Sequence, residues 1–284
     1  MHQNRPISTR TILATSLGAI ALVLGVAVQP AAAANVTSVI GNAYGYRAFN
    51  ISLFGGAQSD TGPTPQVTLA SNASNSPQTA SATCGRVVYG PAVLFTSDTI
   101  AVSTSGSLGP SGSATASTSI SKINMATNTA CNGVNETGGE IFTANSLAGT
   151  VTAFNNGTKT AATSVSSGTY NVHSNSFNCT SLATNCGGHT HDAGNPEGTT
   201  AVSSMPGANT KVAGHVHLND TTTDYFVIVF NEQVNNADGS LTVNPVHEYF
   251  GATLDGSNNI VDDPNSILQG DLILGRATAG RTAV

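Results

Sequence analysis

The sequence predicts an all-β protein: a single antiparallel β-sandwich or distorted barrel with long loops, preceded by a signal-peptide helix. Short runs of Val, Ile, Phe and Tyr recur between clusters of Gly, Pro, Asn and Asp, which is typical of strands divided by turns. After the N-terminus, no window of helical length repeats apolar residues every three or four positions. The spacing of the strands is that of sandwiches and barrels.

Residues 1–34 have the layout of a secretory signal peptide. Two arginines precede an apolar stretch over 12–28, and small alanines lead up to Ala34. We expect cleavage after Ala34, which leaves 35–284 as one β-rich extracellular domain without a membrane span. The alternative is an uncleaved membrane anchor, because the apolar stretch is close in length to the shortest spanning helices.

The predicted mature chain is acidic but poor in charged residues. Two of the nine basic residues belong to the signal peptide, and the remaining seven stand against fifteen acidic ones, a formal charge of −8. Such a surface does not attract phosphate backbones or anionic headgroups, which argues against nucleic acid and acidic lipid as partners. Only 8% of the chain is charged, against about 25% in ordinary domains. This composition is typical of wall-associated and adhesive exported domains.

Strands are expected along most of the mature chain. Residues 36–53 suit one or two short strands divided by turns. The clearest signal is a hairpin, in which 224–234 and 241–249 flank a turn rich in Asn, Asp and Gly. A closing strand is predicted at 271–274.

Three segments are expected to depart from this pattern. Pro63 and Pro65 interrupt the chain after the first strands. The Ser-, Thr-, Gly- and Ala-rich stretch near 103–121 is expected to be flexible, with small-residue strands in a layered sheet as the alternative. A long irregular loop with two Cys and two His runs over 174–209, and a loop of this length is either functional or tied down by a crosslink.

The four cysteines predict two disulfide bonds, because an even number in an exported protein is typical of crosslinks. Three pairings are open. We favour Cys84 with Cys131 and Cys179 with Cys186, since the second pair closes a short polar loop and leaves the first to staple the larger domain. A cysteine zinc site is the alternative, but no CxxC spacing supports it.

Paired histidines are the most suggestive chemistry in the sequence. His189 with His191, and His215 with His217, form two HxH motifs. On a strand, residues i and i+2 face the same side, so each pair can present two imidazoles to one metal ion. Together with His247 in the terminal hairpin, they are a candidate set for zinc or copper. The alternative is that these histidines are solvated.

No catalytic residue is expected. Serine is so abundant that any pairing with His and Asp is uninformative, and no GxSxG elbow occurs. Sequence spacing does not fix the separation that paired carboxylates need for glycoside hydrolysis. The glutamates are expected to be solvated surface groups: Glu136, Glu140, Glu197, Glu232 and Glu248. We therefore expect no enzyme, and no cofactor other than zinc or copper in the metal alternative.

Short motifs at both ends of the mature chain carry a resemblance. Residues 238–247 are DGSLTVNPVH and 270–275 are GDLILG, while NAYGY at 42–46 and GPTP at 62–65 stand near the predicted mature start. They resemble the choice-of-anchor P family of exported actinobacterial surface proteins, whose members pair a DGxLTVNxxH strand with a closing GDxxxG strand. The resemblance implies a surface role, without a defined activity or catalytic residues.

The sequence thus predicts a non-enzymatic exported or cell-surface protein with a structural or interaction role in a Gram-positive-type envelope, where its partner would lie. The alternative is an extracellular metal-binding β-domain that uses the two HxH pairs. An exported hydrolase is the third hypothesis.

Overall fold

Strands make up most of the fold. The structure, a computed structural model, describes residues 35–72, 77–89, 92–125, 141–171, 173–175, 199–219 and 222–284. These residues contain eighteen strands and no helix. In chain order the strands are β1 (Val36–Leu53), β2 (Ser59–Leu69), β3 (Gln78–Ala82), β4 (Gly85–Tyr89), β5 (Ala92–Ser97), β6 (Ile100–Ser107), β7 (Ser113–Met125), β8 (Phe142–Phe154), β9 (Lys159–Ser166), β10 (Thr169–Asn171), β11 (His173–Asn175), β12 (Thr199–Ala201), β13 (Thr210–Asn219), β14 (Thr222–Asn235), β15 (Leu241–Phe250), β16 (Ala252–Leu254), β17 (Ile260–Asp262) and β18 (Leu268–Ala283).

Two large sheets contain sixteen of these strands. Sheet A has seven, in the spatial order β11-β13-β14-β15-β18-β1-β2. Sheet B has nine: β12-β10-β8-β7-β5-β4 form its main path, β6 and then β3 pair beside β7, and β9 pairs with β8. Neighbouring strands are antiparallel, except that β11 runs parallel to β13. Strands β16 and β17 form a separate hairpin. The sheets do not close into a barrel, so the all-β prediction is confirmed in its sandwich form.

The core lies between the two sheets. Pairs of aromatic side chains pack across it. The rings of Phe142 in sheet B and Phe230 in sheet A meet edge-on with their centroids 5.4 Å apart, and the ring centroids of Phe95 and Tyr46 are 5.2 Å apart. A smaller cluster covers the opposite face of sheet A, where Val227 and the β16–β17 hairpin pack together. Strand β14, to which Val227 belongs, is consequently covered on both faces.

The expected flexibility near 103–121 is wrong, and the alternative of small-residue strands is right. Strand β6 pairs along its whole length with residues 113–120 of β7. Their alternation is regular, with Ala114 and Ala116 fully buried, while Ser103 and Ser117 share a hydroxyl hydrogen bond of 2.7 Å on the opposite face. Small side chains lower the bulk of a strand but leave its backbone hydrogen bonds intact, so composition alone misled the prediction.

Other strand predictions differ mainly in length. The segment expected as one or two short strands is the single strand β1, and the predicted hairpin is β14 and β15. Pro63 and Pro65 do not interrupt the chain but lie inside β2. This is tolerated because β2 is an edge strand of sheet A, where a missing backbone N–H breaks no ladder on the open side.

Two predictions fall largely outside the described residues. The signal peptide over 1–34 lies there entirely, as does most of the predicted loop over 174–209. Within the described ranges, no helix has the length and apolar content to cross a membrane.

Candidate functional site

A polar cluster occupies the face of sheet A that points away from sheet B. Five side chains from three neighbouring strands form it, and we call it the His247 network. Its members are Glu232 of β14, Asn244, His247 and Tyr249 of β15, and Asp271 of β18. The network therefore depends on the register of three adjacent strands.

His247 is the centre of this network. Its Nδ1 lies 2.8 Å from Oε2 of Glu232, and its Nε2 lies 3.3 Å from Oδ1 of Asp271. The residue is 7% exposed. Burial by itself lowers the pKa of His247, but the hydrogen bonds and negative charges of Asp271 and Glu232 outweigh it, so the pKa is raised. The imidazole is thus favoured in its charged form, in which both nitrogens donate.

The Glu232 carboxylate accepts three hydrogen bonds. Asn244 donates its Nδ2 hydrogen to Oε2 at 2.6 Å, and Tyr249 donates its hydroxyl to Oε1 at 2.9 Å, in addition to His247. Burial raises the pKa of Glu232, but the hydrogen bond and charge of His247, with the bonds from Asn244 and Tyr249, lower it to about 2. Burial and the nearby Glu232 charge raise the pKa of Tyr249. Glu232 is therefore a carboxylate and Tyr249 a neutral donor.

A backbone irregularity directs Glu232 to this face. In a regular strand, Phe230 and Glu232 would point to the same side, yet Phe230 is in the inter-sheet core. Between them, Asn231 has a left-handed backbone with a φ of 51°. Asn tolerates this conformation better than most residues. Its side-chain amide donates to the carbonyl of Pro206 at 2.9 Å. This kink carries Glu232 to the outer face, beside His247.

A polar pocket opens at the end of the network. Its volume is about 210 Å³, and we call it the amide pocket. The side chains that give it polar character are Asn50, Gln58, Tyr249, Asp262, Gln269 and Asp271. Tyr249 and Asp271 belong both to the network and to the pocket wall, and they are register partners on β15 and β18. The network thereby holds one wall of the pocket in place.

Glu248 faces the other way, into the core. It is 0% exposed, with Ile228 and Leu272 as its register partners on either side. Within the described part of the chain, neither carboxyl oxygen has a hydrogen-bond partner. Burial raises the pKa of Glu248 well above its ordinary value. Burial therefore favours the neutral acid over the carboxylate in the folded protein.

Two glutamates thus correct the expectation of solvated surface groups. Glu248 is fully buried, and Glu232 is mostly buried within the network. The other three, Glu136, Glu140 and Glu197, lie outside the described residues. The alternation of β15 carried a signal for Glu248, because Val246, Glu248 and Phe250 share the phase of a core-facing strand. No comparable signal existed for Glu232, since its kink breaks the alternation.

Among the predicted metal ligands on described strands, His247 lies apart from His215 and His217. His215 and His217 lie on β13, two residues apart, and β11 runs beside them with His173 in register with His215. His247 lies two strands away, level with Lys211 through Val229. His189 and His191 lie outside the described residues.

The cysteine prediction is tested at one position. Cys84 is disulfide-bonded, and no described cysteine is a free thiol. Cys131, Cys179 and Cys186 lie outside the described residues. The pairing of Cys84 with Cys131, and of Cys179 with Cys186, stays a prediction. Among the side chains that the structure describes, no group of three or more His, Cys, Asp or Glu is arranged to hold a metal ion.

No protein-family model matches this chain, and neither a curated protein nor a solved structure matches it.

Proposed function

We propose that the protein is a non-enzymatic exported protein that works at the cell surface, with a structural or interaction role in the envelope. The signal-like N-terminus, the uncharged polar composition and the resemblance to the choice-of-anchor P family support export and a surface role. The amide pocket supplies a surface on which such an interaction can occur.

The non-enzymatic part of the proposal rests on His247, because both of its ring nitrogens are hydrogen-bonded within the protein. A histidine that acts as a general base needs a ring nitrogen within reach of the substrate. Both nitrogens of His247 are instead hydrogen-bonded to carboxylates, and Glu232 is in turn saturated by three donors. Such a cluster holds strands β14, β15 and β18 in register rather than moving protons to a bound substrate.

Sedimentation with cell walls tests this proposal. The mature chain, residues 35–284, is mixed with insoluble walls purified from actinobacteria, and pellet and supernatant are compared with and without walls. We expect the protein in the wall pellet, and no release of soluble sugar or peptide from the walls over hours. Protein that stays in the supernatant with every wall preparation contradicts the interaction role. Wall fragments released by wild type contradict the non-enzymatic role.

The second candidate is a zinc- or copper-binding domain, which one backbone observation favours. The parallel pairing of β11 and β13 places His173 directly beside His215, with His217 two residues further on. Three histidine positions thus come together at one edge of sheet A, and imidazole is a good ligand for zinc and copper.

Calorimetric titration of the mature chain with Zn²⁺ and with Cu²⁺ tests this candidate. We expect one ion bound per chain in the micromolar range or tighter, and loss of binding in the H215A/H217A double variant. Both proteins retain His247, which lies two strands away. The absence of binding heat for either ion in wild type excludes this function.

A further inference from the structure

The amide pocket combines the groups that recognise hydroxyls. Asn50, Gln58 and Gln269 carry amides that both donate and accept hydrogen bonds, while the carboxylates of Asp262 and Asp271 accept them. A sugar hydroxyl also donates and accepts, so a ring of amides and carboxylates matches several hydroxyls at once. The Tyr249 ring adds a less polar wall, because its hydroxyl is committed to Glu232.

The charge and the volume of the amide pocket further restrict the class of ligand that it can bind. Two carboxylates in the wall, on a mature chain with seven basic and fifteen acidic residues, disfavour phosphates, uronic acids and other anions. A volume of about 210 Å³ is below the ~300 Å³ lower limit of sites for drug-sized ligands. The pocket therefore suits one small neutral unit rather than an extended segment.

The pocket wall is held in place before any ligand arrives. Asp271 is positioned by His247, which is itself fixed by Glu232. On the other side, β1 and β18 approach so closely that a side chain on Gly270 would lie 2.7 Å from the carbonyl oxygen of Asn50. Both residues have left-handed φ angles, 121° for Gly270 and 56° for Asn50, and the β1–β18 pairing shifts register here. Bulges of this kind often re-aim side chains beside binding sites, and a preformed site loses little ordering free energy on binding.

We propose that the amide pocket binds a single unit of a neutral, hydroxyl-rich saccharide, with the Asp262 and Asp271 carboxylates accepting hydrogen bonds from its hydroxyls. This inference rests on the proposed interaction role and names the chemistry of its partner. Asp271 is a ligand-contacting residue, and His247 is a positioning residue that orients it.

Ligand-observed NMR tests the assignment with the mature chain and a panel of glucose, galactose, mannose, arabinose and N-acetylglucosamine. We expect saturation transfer to at least one sugar, and a tenfold or greater weakening in both Q58A and D262N. Both changed residues are exposed, so neither change threatens folding. Q66A, which removes an exposed glutamine of β2 outside the pocket, should bind as wild type does.

The result is read together with the sedimentation assay. If the protein sediments with walls but binds no sugar of the panel, or if Q66A weakens binding as much as Q58A, the pocket assignment is wrong and the interaction role stands. If the protein binds neither walls nor sugars, both the pocket assignment and the interaction role are wrong. Calcium binding that D262N abolishes, without any saccharide binding, assigns the pocket to a cation and overturns the inference.

Discussion

Glu248 should make the protein less stable as the pH rises, and replacing it with glutamine should remove that effect. The carboxyl group is 0% exposed in the inter-sheet core, and neither of its oxygens has a hydrogen-bond partner among the described residues. Ionising it there would bury an unpaired charge, so the folded protein keeps the proton. Glutamine has nearly the same shape and is neutral at every pH.

The size and sign of the effect follow from proton linkage. The unfolded chain releases the Glu248 proton above a pKa of ~4.3, whereas the folded chain holds it up to its raised pKa. Between these two values, unfolding releases a proton, and the free energy of unfolding falls by about 1.4 kcal/mol for each pH unit. Over this range, wild type should thus lose stability that the E248Q variant keeps.

Urea unfolding followed by far-ultraviolet circular dichroism measures this difference, since the chain has no Trp for fluorescence. The two proteins should have similar stability at pH 4, and E248Q should be the more stable one at pH 7. D262N, which replaces an exposed carboxyl of β17, controls for the loss of one negative charge. A stability difference between wild type and E248Q that is the same at pH 4 and pH 7 would refute the burial of a neutral acid.

Four further outcomes are expected. H247A should lower the free energy of unfolding at pH 6 by about 3 kcal/mol, because it leaves two largely buried carboxylates without their shared cation. Wild type should lose up to about 3 kcal/mol relative to E232Q as the pH falls from 4.5 toward 2, since a carboxylate with a pKa lowered to about 2 stabilises the fold only while ionised. G45A should cost about 1–3 kcal/mol, because its new methyl group would overlap side chains and a backbone carbonyl. Cys84 should not react with iodoacetamide before reduction, since it is crosslinked.

Each of these outcomes has a matched comparison. H247N retains a polar side chain but has no imidazole and no positive charge, so stability equal to wild type in both H247A and H247N would show that the network contributes nothing. An unchanged gap between wild type and E232Q across the acid range would contradict the ionised state of Glu232. G256A is the control for G45A, because nothing lies within 4 Å of a methyl group there. Mass spectrometry of protease digests then reports which cysteine pairs with Cys84.

The candidate site shows where sequence reasoning stops. The sequence identifies His247 as a candidate metal ligand, but it does not identify the side chains that contact it. Glu232 and Asp271 are 15 and 24 positions away along the chain. Only the pairing of β14, β15 and β18 brings the three side chains together, and a left-handed residue before Glu232 reverses the face that alternation would assign to it. Local pattern carries no information on either event.

The sequence by itself determined the all-β class, the terminal hairpin and the acidic, weakly charged surface, because these depend on residue type and local alternation. Tertiary structure decided which polar residues are buried. Glu248 and Glu232 looked alike in the sequence, yet Glu248 is a core acid without a hydrogen-bond partner among the described residues, and Glu232 is a carboxylate outside the core that accepts three hydrogen bonds. It also decided that the Ser- and Thr-rich stretch near 103–121 is ordered, because small residues form strands only where neighbouring strands complete their hydrogen bonds. Burial and pairing are properties of the assembled sheets, and no single segment contains them.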